Sequence, residues 1–179
     1  YGYHKEWPYR QFLVDWLEST YGDRFKRFGP PDNVVRNGDL NDLYASAKVV
    51  VGDSLCPGFN HPEYWSDRVY ETLGRGGFLI HPMIRGLEKE FKVNIFEDIE
   101  LATYPYGNMI ELKEEIDHYL FNNEEREEVK MRGHEKVKNN YTYTHRLNKM
   151  LKIIFGLEDN KKLNLACGVS PKPGYINHE

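Results

Sequence analysis

Two short apolar runs constrain this chain most: Ala47-Lys48-Val49-Val50-Val51-Gly52 and Phe78-Leu79-Ile80-His81. After its one lysine, the first run is continuously apolar, the pattern of a strand covered on both faces inside a parallel sheet. The second reads the same way. Between them lie a loop carrying Pro57, Gly58 and Pro62, a short helix over residues 67–74 with Ser66 as its N-cap, and the stop Gly74-Arg75-Gly76-Gly77. Upstream, Pro8 opens a helix over residues 9–19, where Phe12, Leu13, Trp16 and Leu17 recur at helical spacing. Short strands are expected at 24–28, 34–36 and 101–104. Asn37-Gly38 reads as a turn, with Asp39 capping a helix over 40–46. A short helix is expected at 86–91, and three longer ones at 108–121, 123–139 and 142–155. The alternation predicts an α/β, Rossmann-like three-layer domain with a parallel sheet and extra C-terminal helices.

At 179 residues the chain can bury one ordinary core, and 40% hydrophobic with 29% charged residues describes a globular protein. The net charge of -4, with no basic face visible in the sequence, argues against nucleic acid held by phosphate contacts. A nucleotide-sized ligand needs only a local basic cluster. Cys56 and Cys167 lie far apart without ligand spacing, which favours reduced thiols and a cytoplasmic location over a zinc site. No apolar run has the length of a membrane span or the pattern of a signal peptide. His61, His81 and His145 lack metal-ligand spacing. Gly74 to Gly77 follow a helix and precede a strand, the reverse of a phosphate-cradling loop.

The remaining signal is a pair of carboxylates. Glu63 and Glu71 stand with seven residues between them in His61-Pro62-Glu63-Tyr64-Trp65-Ser66-Asp67-Arg68-Val69-Tyr70-Glu71-Thr72-Leu73-Gly74, ahead of the glycine stop and the second apolar run. Together with Leu43-Tyr44-Ala45-Ser46-Ala47 upstream and Tyr143-Thr144-His145-Arg146 downstream, this stretch resembles the donor-binding, C-terminal half of a GT-B glycosyltransferase. The resemblance covers residues 39–155, and is to the spore-maturation-protein-like group of family 1 and family 4 type enzymes. Retaining members carry a Glu-x7-Glu pair at this place. The resemblance implies transfer of a sugar from a nucleotide sugar to an acceptor, with retention and without a metal or other cofactor. It places the diphosphate at the helix start formed by Ser66, Asp67 and Arg68, where free N–H groups and the helix dipole favour an anion. Arg68 either assists there or pairs with Asp67 or Glu71. Glu71 would accept from the ribose hydroxyls, since a carboxylate offers two acceptors to a vicinal diol. Glu63 would face the transferred sugar as the catalytic carboxylate; its plainer reading is a loop acid. Lys5 and Arg10 lie near where the family keeps an Arg/Lys pair for the diphosphate, and Asn37 could approach the base or ribose.

The same resemblance divides the chain into a nucleotide-sugar-binding domain over 1–157 and a linker from 158 to 179. It also implies a partner, an acceptor-binding N-terminal domain outside these residues. The chain starts just after the strand that should lie mid-sheet, so a gap is expected. It would be filled by the strand-like segment at Leu163 and Leu165, by that segment of a second chain in a homodimer, or by upstream residues. Residues 162–177 resemble the opening of a class I methyltransferase, with Ala166 where that family has glycine. A strand-adding tail is the alternative. The rival functions are a non-catalytic α/β scaffold or binding module, and a fragment of a bifunctional glycosyltransferase–methyltransferase.

Overall fold

A computed structural model describes residues 8–29, 33–53, 63–93, 98–156, 162–165 and 175–178. Two compact units divide the chain, the first ending at Asn139 and the second starting at Asn140.

The first unit is an α/β, Rossmann-like layer structure around a three-stranded parallel sheet. Its strands are β1 (Val50–Val51), β2 (Leu79–Pro82) and β3 (Ala102–Tyr104), in the spatial order β1-β2-β3. Val50 stands opposite Leu79, and Ile80 opposite Ala102. β2 is the middle strand, and all four of its residues are buried, as its apolar run requires. β1 differs from expectation. It is two residues long and half-buried, because among the described residues it pairs on one side only.

Helices α1 (Pro8–Tyr21), α2 (Asn37–Ser46), α3 (Arg68–Gly74), α4 (Leu87–Glu90), α5 (Met109–Phe121) and α6 (Asn123–Asn140) complete this unit. α1 buries Leu13, Leu17 and Tyr21, spaced four apart on one stripe. They pack with Phe78 and Ile80, with Ala102 and Tyr104 of β3, with Leu112, Ile116 and Tyr119 of α5, and with Val129 of α6. Successive strand residues point to opposite faces, so Leu79 and His81 look the other way. There His81 meets Gly52, where an added Cβ would stand 2.8 Å from the imidazole Cδ2. The turn from α5 to α6 is closed by Arg126. Its guanidinium is buried and donates to the Tyr119 carbonyl at 2.7 Å, one of the acceptors that the end of α5 leaves without a helical partner.

Two expected strands are absent. Residues 22–24 form a 3-10 turn, and beyond it, among the described residues, only an isolated antiparallel bridge joins Gly29 to Asn33. The segment at 34–36 leads instead into α2, which begins at Asn37 rather than at Leu40. Asn37 adopts a φ of 55°, a left-handed conformation that asparagine tolerates better than most side chains. The expected Asn37-Gly38 turn is thereby absorbed into the first turn of the helix.

α6 sits closely on the rest of the unit. An added Cβ at Gly133 would stand 2.5 Å from the Glu100 carbonyl oxygen and 3.0 Å from Leu73 Cδ2. Arg132 Nε donates to the Ile99 carbonyl at 3.0 Å, and His134 Nδ1 donates to the Leu73 carbonyl at 3.0 Å, so the helix cannot lift away without losing these bonds. Gly133→Ala is expected to destabilise the domain by about 2 kcal/mol through overpacking, despite the better helix propensity of alanine. A denaturant midpoint equal to or above that of the parent protein would contradict this seating.

The second unit contains α7 (Tyr143–Phe155), capped by Thr142, whose hydroxyl accepts from the His145 N–H, and ended by Gly156 at a φ of 60°. It also contains β4 (Lys162–Leu165) and β5 (Tyr175–His178), which pair in parallel as a separate two-stranded sheet. This corrects the expectation that Leu163 and Leu165 fill a gap in the first sheet: among the described residues β1, β2 and β3 pair consecutively, and β4 takes β5 as its partner.

Candidate functional site at the carboxyl ends of the strands

Open parallel sheets collect ligands beyond the carboxyl ends of their strands, where successive loops converge. Here those ends carry Gly52-Asp53 after β1, Met83-Ile84-Arg85-Gly86 after β2 and Pro105-Tyr106-Gly107 after β3. The first turns of α1 and α3 add Tyr9, Arg10 and Arg68.

Asp53 is the centre of this cluster and is 7% exposed. Arg10 grips it through two bonds, Nε to one carboxylate oxygen and Nη2 to the other at 3.2 Å. The second cation, Arg68, brings its Nη1 to 3.7 Å from Asp53 Oδ1. Two guanidiniums thus share one carboxylate in a half-buried place, where water screens charge poorly. The local sequence explains why Asp53 sits there. Glycine at 52 lets the strand end lie against the His81 ring, which a larger residue would push away.

His81 is fully buried, and its Nδ1–H donates to the Pro82 carbonyl at 2.8 Å. Burial pushes its pKa down to about 4, against the opposing pulls of that carbonyl and the Asp53 carboxylate, so the ring is neutral at pH 7. Alongside, the Tyr9 and Tyr104 hydroxyls are hydrogen-bonded at 3.1 Å. Burial raises the pKa of both, and Tyr104 is completely enclosed.

The loop before α3 has its own supports. The Ser66 hydroxyl accepts the Arg68 N–H at 3.2 Å, one position ahead of the N-cap residue Asp67, whose side chain makes no capping bond. Ser66 thus takes up one of the helix-start donors expected to be open. Trp65 Nε1 donates to the Tyr70 hydroxyl at 3.1 Å and packs beside Gly86, which joins this loop to the one after β2. The same two loops are linked by an exposed ion pair of 2.9 Å between Glu63 and Arg85.

Of the residues singled out in the sequence, Arg10 and Arg68 are brought together. Arg68 pairs with Asp53, rather than with the Asp67 or Glu71 partners considered above. Glu63 is engaged by Arg85, and Glu71 lies exposed on α3 with no side-chain hydrogen bond or ion pair among the described residues. Asn37 is the exposed first residue of α2. Lys5 lies outside the described residues. Sequence reasoning gave no site role to Asp53, Tyr9, Tyr104 or Tyr106. The available signal was an acid directly after an apolar strand, and a Tyr-Pro-Tyr-Gly turn after another. No three His, Cys, Asp or Glu side chains gather where they could hold a metal ion among the described residues. Nor, among those residues, is any helix long and apolar enough to cross a membrane.

A family model described as glycosyl transferase-like matches residues 10–152. The chain belongs to the glycosyl transferase-like family. The match starts at Arg10 and runs into α7, so it takes in most of α1, which lies outside the 39–155 of the sequence resemblance, and all of α2. No curated protein and no solved structure matches the chain. In this glycosyltransferase domain the Arg10–Asp53–Arg68 cluster, Glu63 and Glu71 all fall within the matched residues.

Proposed function

We propose that this glycosyltransferase domain binds the nucleotide-sugar donor at the carboxyl ends of its strands, with Arg10 and Arg68 taking the diphosphate. The observation that carries the reading is the convergence of both guanidiniums on the buried Asp53 at that edge. Glycosyl transfer breaks the bond between the sugar carbon and a diphosphate oxygen. Negative charge grows on that oxygen, and donors already aimed at it stabilise the transition state without reorganising. Asp53 keeps the two cations in place and holds their mutual repulsion in check until the diphosphate arrives. Arginine suits this because its planar fork meets two oxygens at once.

Glu71 is exposed and without a side-chain partner among the described residues, which leaves both oxygens for the donor ribose. Glu63 is the carboxylate assigned to the transferred sugar. Its present partner is Arg85, and that pair would have to open or turn toward the ligand. On this reading the domain is the donor half of a retaining GT-B enzyme of the spore-maturation-protein-like group. It is metal-independent, with the acceptor held by an N-terminal domain. Ser66, Asp67, Asn37 and Lys5 are further donor-contact candidates.

Calorimetric titration with uridine and guanosine diphosphates tests the assignment. Glu71→Ala is expected to weaken binding by about 1–3 kcal/mol, the scale of charge-assisted hydrogen bonds, with the circular dichroism spectrum unchanged. Affinity equal to that of the parent protein would remove Glu71 from the site. The titration should give the same constant with and without a chelator; binding abolished by chelation would replace the guanidinium account of the diphosphate with a metal.

A further inference from the structure

β3 ends at Tyr104 and passes directly into Pro105-Tyr106-Gly107, where Gly107 takes a φ of 79°, a conformation glycine adopts without strain. The turn leaves Tyr106 at the carboxyl edge of the sheet, 52% exposed, two residues from the completely buried Tyr104. The Tyr106 ring lies on Tyr9, with centroids 4.4 Å apart and a tilt of 47°. Tyr9 is held in turn by the Tyr104 hydroxyl. The residue after Tyr9 is Arg10, which grips Asp53. One turn of α1 therefore braces an exposed aromatic ring with one residue and places a guanidinium with the next. The Tyr106 hydroxyl has no hydrogen bond among the described residues, so ring contact alone fixes its position.

We infer that Tyr106 is the stacking platform for the nucleobase of the donor, set beside the guanidinium pair that takes the diphosphate. The inference rests on the donor-binding reading above and extends it to the base. A ring braced on one side by Tyr9 and open to water elsewhere loses little freedom when a flat base covers it. Every base has such a face, so stacking of this kind tolerates different bases. Tyr106 would supply affinity for any nucleoside diphosphate and leave the choice among bases to other contacts.

The test is calorimetry on the full chain with uridine diphosphate, guanosine diphosphate, uridine diphosphate glucose and inorganic pyrophosphate. Tyr106→Ala should lower affinity for all three nucleotides about tenfold, the scale of base–aromatic stacking, and leave pyrophosphate binding unchanged. Tyr106→Phe keeps the ring and should stay within about twofold of the parent protein. Arg68→Ala should weaken all four ligands, pyrophosphate included. Equal losses for pyrophosphate and nucleotides in Tyr106→Ala, or no loss at all, would overturn the stacking role. A loss confined to the nucleotide sugar would put the sugar on the ring and overturn the nucleobase assignment. Failure of the parent protein to bind any of the four would overturn the donor-binding reading itself, an outcome distinct from nucleotide binding that survives loss of Tyr106.

Discussion

Arg10→Ala should lower the unfolding free energy by about 3 kcal/mol, the order found when one partner of a buried ion pair is removed. Asp53 is 7% exposed and takes both of its short bonds from Arg10. Without that guanidinium the carboxylate keeps, among the described residues, only Arg68, at 3.7 Å and with a side chain one-third exposed. The cost lies mainly in the charge left behind. The double variant Arg10→Ala/Asp53→Ala should therefore recover a good part of the loss, and urea denaturation of the three variants reads this directly. A loss below about 0.5 kcal/mol for Arg10→Ala, the level of an ordinary surface substitution, would mean that the pair contributes no more than a surface salt bridge. The same substitution should reduce nucleoside diphosphate affinity at least tenfold, because a charge-assisted, two-pronged contact is lost. Circular dichroism on the same samples separates the binding effect from unfolding.

Stability should also fall by about 3 kcal/mol between pH 6.5 and pH 4, owing to His81. Its folded-state pKa is depressed to about 4 by burial, against about 6.5 in an unfolded chain. Within that window the unfolded chain binds a proton that the folded protein refuses. The slope of stability with pH is then positive, and stability is lost as the solution is acidified. Above the window the ring is neutral in both states and contributes no slope; below about pH 4 both states are protonated and the slope from this group ends. His81→Asn retains an amide that can donate toward the Pro82 carbonyl and removes the titration. Denaturation at pH 7, 5.5 and 4 should show the parent protein losing stability relative to this variant. Parallel curves for the two would show that His81 is protonated as readily in the folded protein as in the unfolded chain.

Elements whose signal is local were legible in the chain. Helices expected at 108–121, 123–139 and 142–155 are α5 (Met109–Phe121), α6 (Asn123–Asn140) and α7 (Tyr143–Phe155), and each boundary moves by no more than one residue. Caps such as Asn108, which accepts the Glu111 N–H, and stops such as Gly156 act within a few residues of themselves. The strands at 24–28 and 34–36 failed for the opposite reason. A short run of strand-forming residues becomes a strand only if a neighbouring edge receives it, and among the described residues no edge does so here beyond the Gly29–Asn33 bridge. β1 shows the same dependence. Its composition suits the sheet interior, yet its burial is that of a strand paired on one side among the described residues.

The site divides along the same line. Arg68 could be marked from the sequence because it stands in the first turn of a helix, and Arg10 because it lies near where the resembled family keeps a basic pair for the diphosphate. Their common partner could not be found that way, since Asp53 is 43 residues from Arg10 and carries no spacing signal. The same holds for Tyr106, whose contact with Tyr9 spans the sheet from α1 to the end of β3. By itself the sequence determined the α/β alternation, the central buried strand β2, the long helices and the basic residues at helix starts, because periodicity, capping and glycine stops act over one or two turns of chain. The tertiary structure alone decided that two arginines share one buried aspartate, that His81 is closed off against Gly52, and that β4 takes β5 as its partner. Those outcomes depend on which surfaces meet when the layers pack, and distance along the chain carries no record of that.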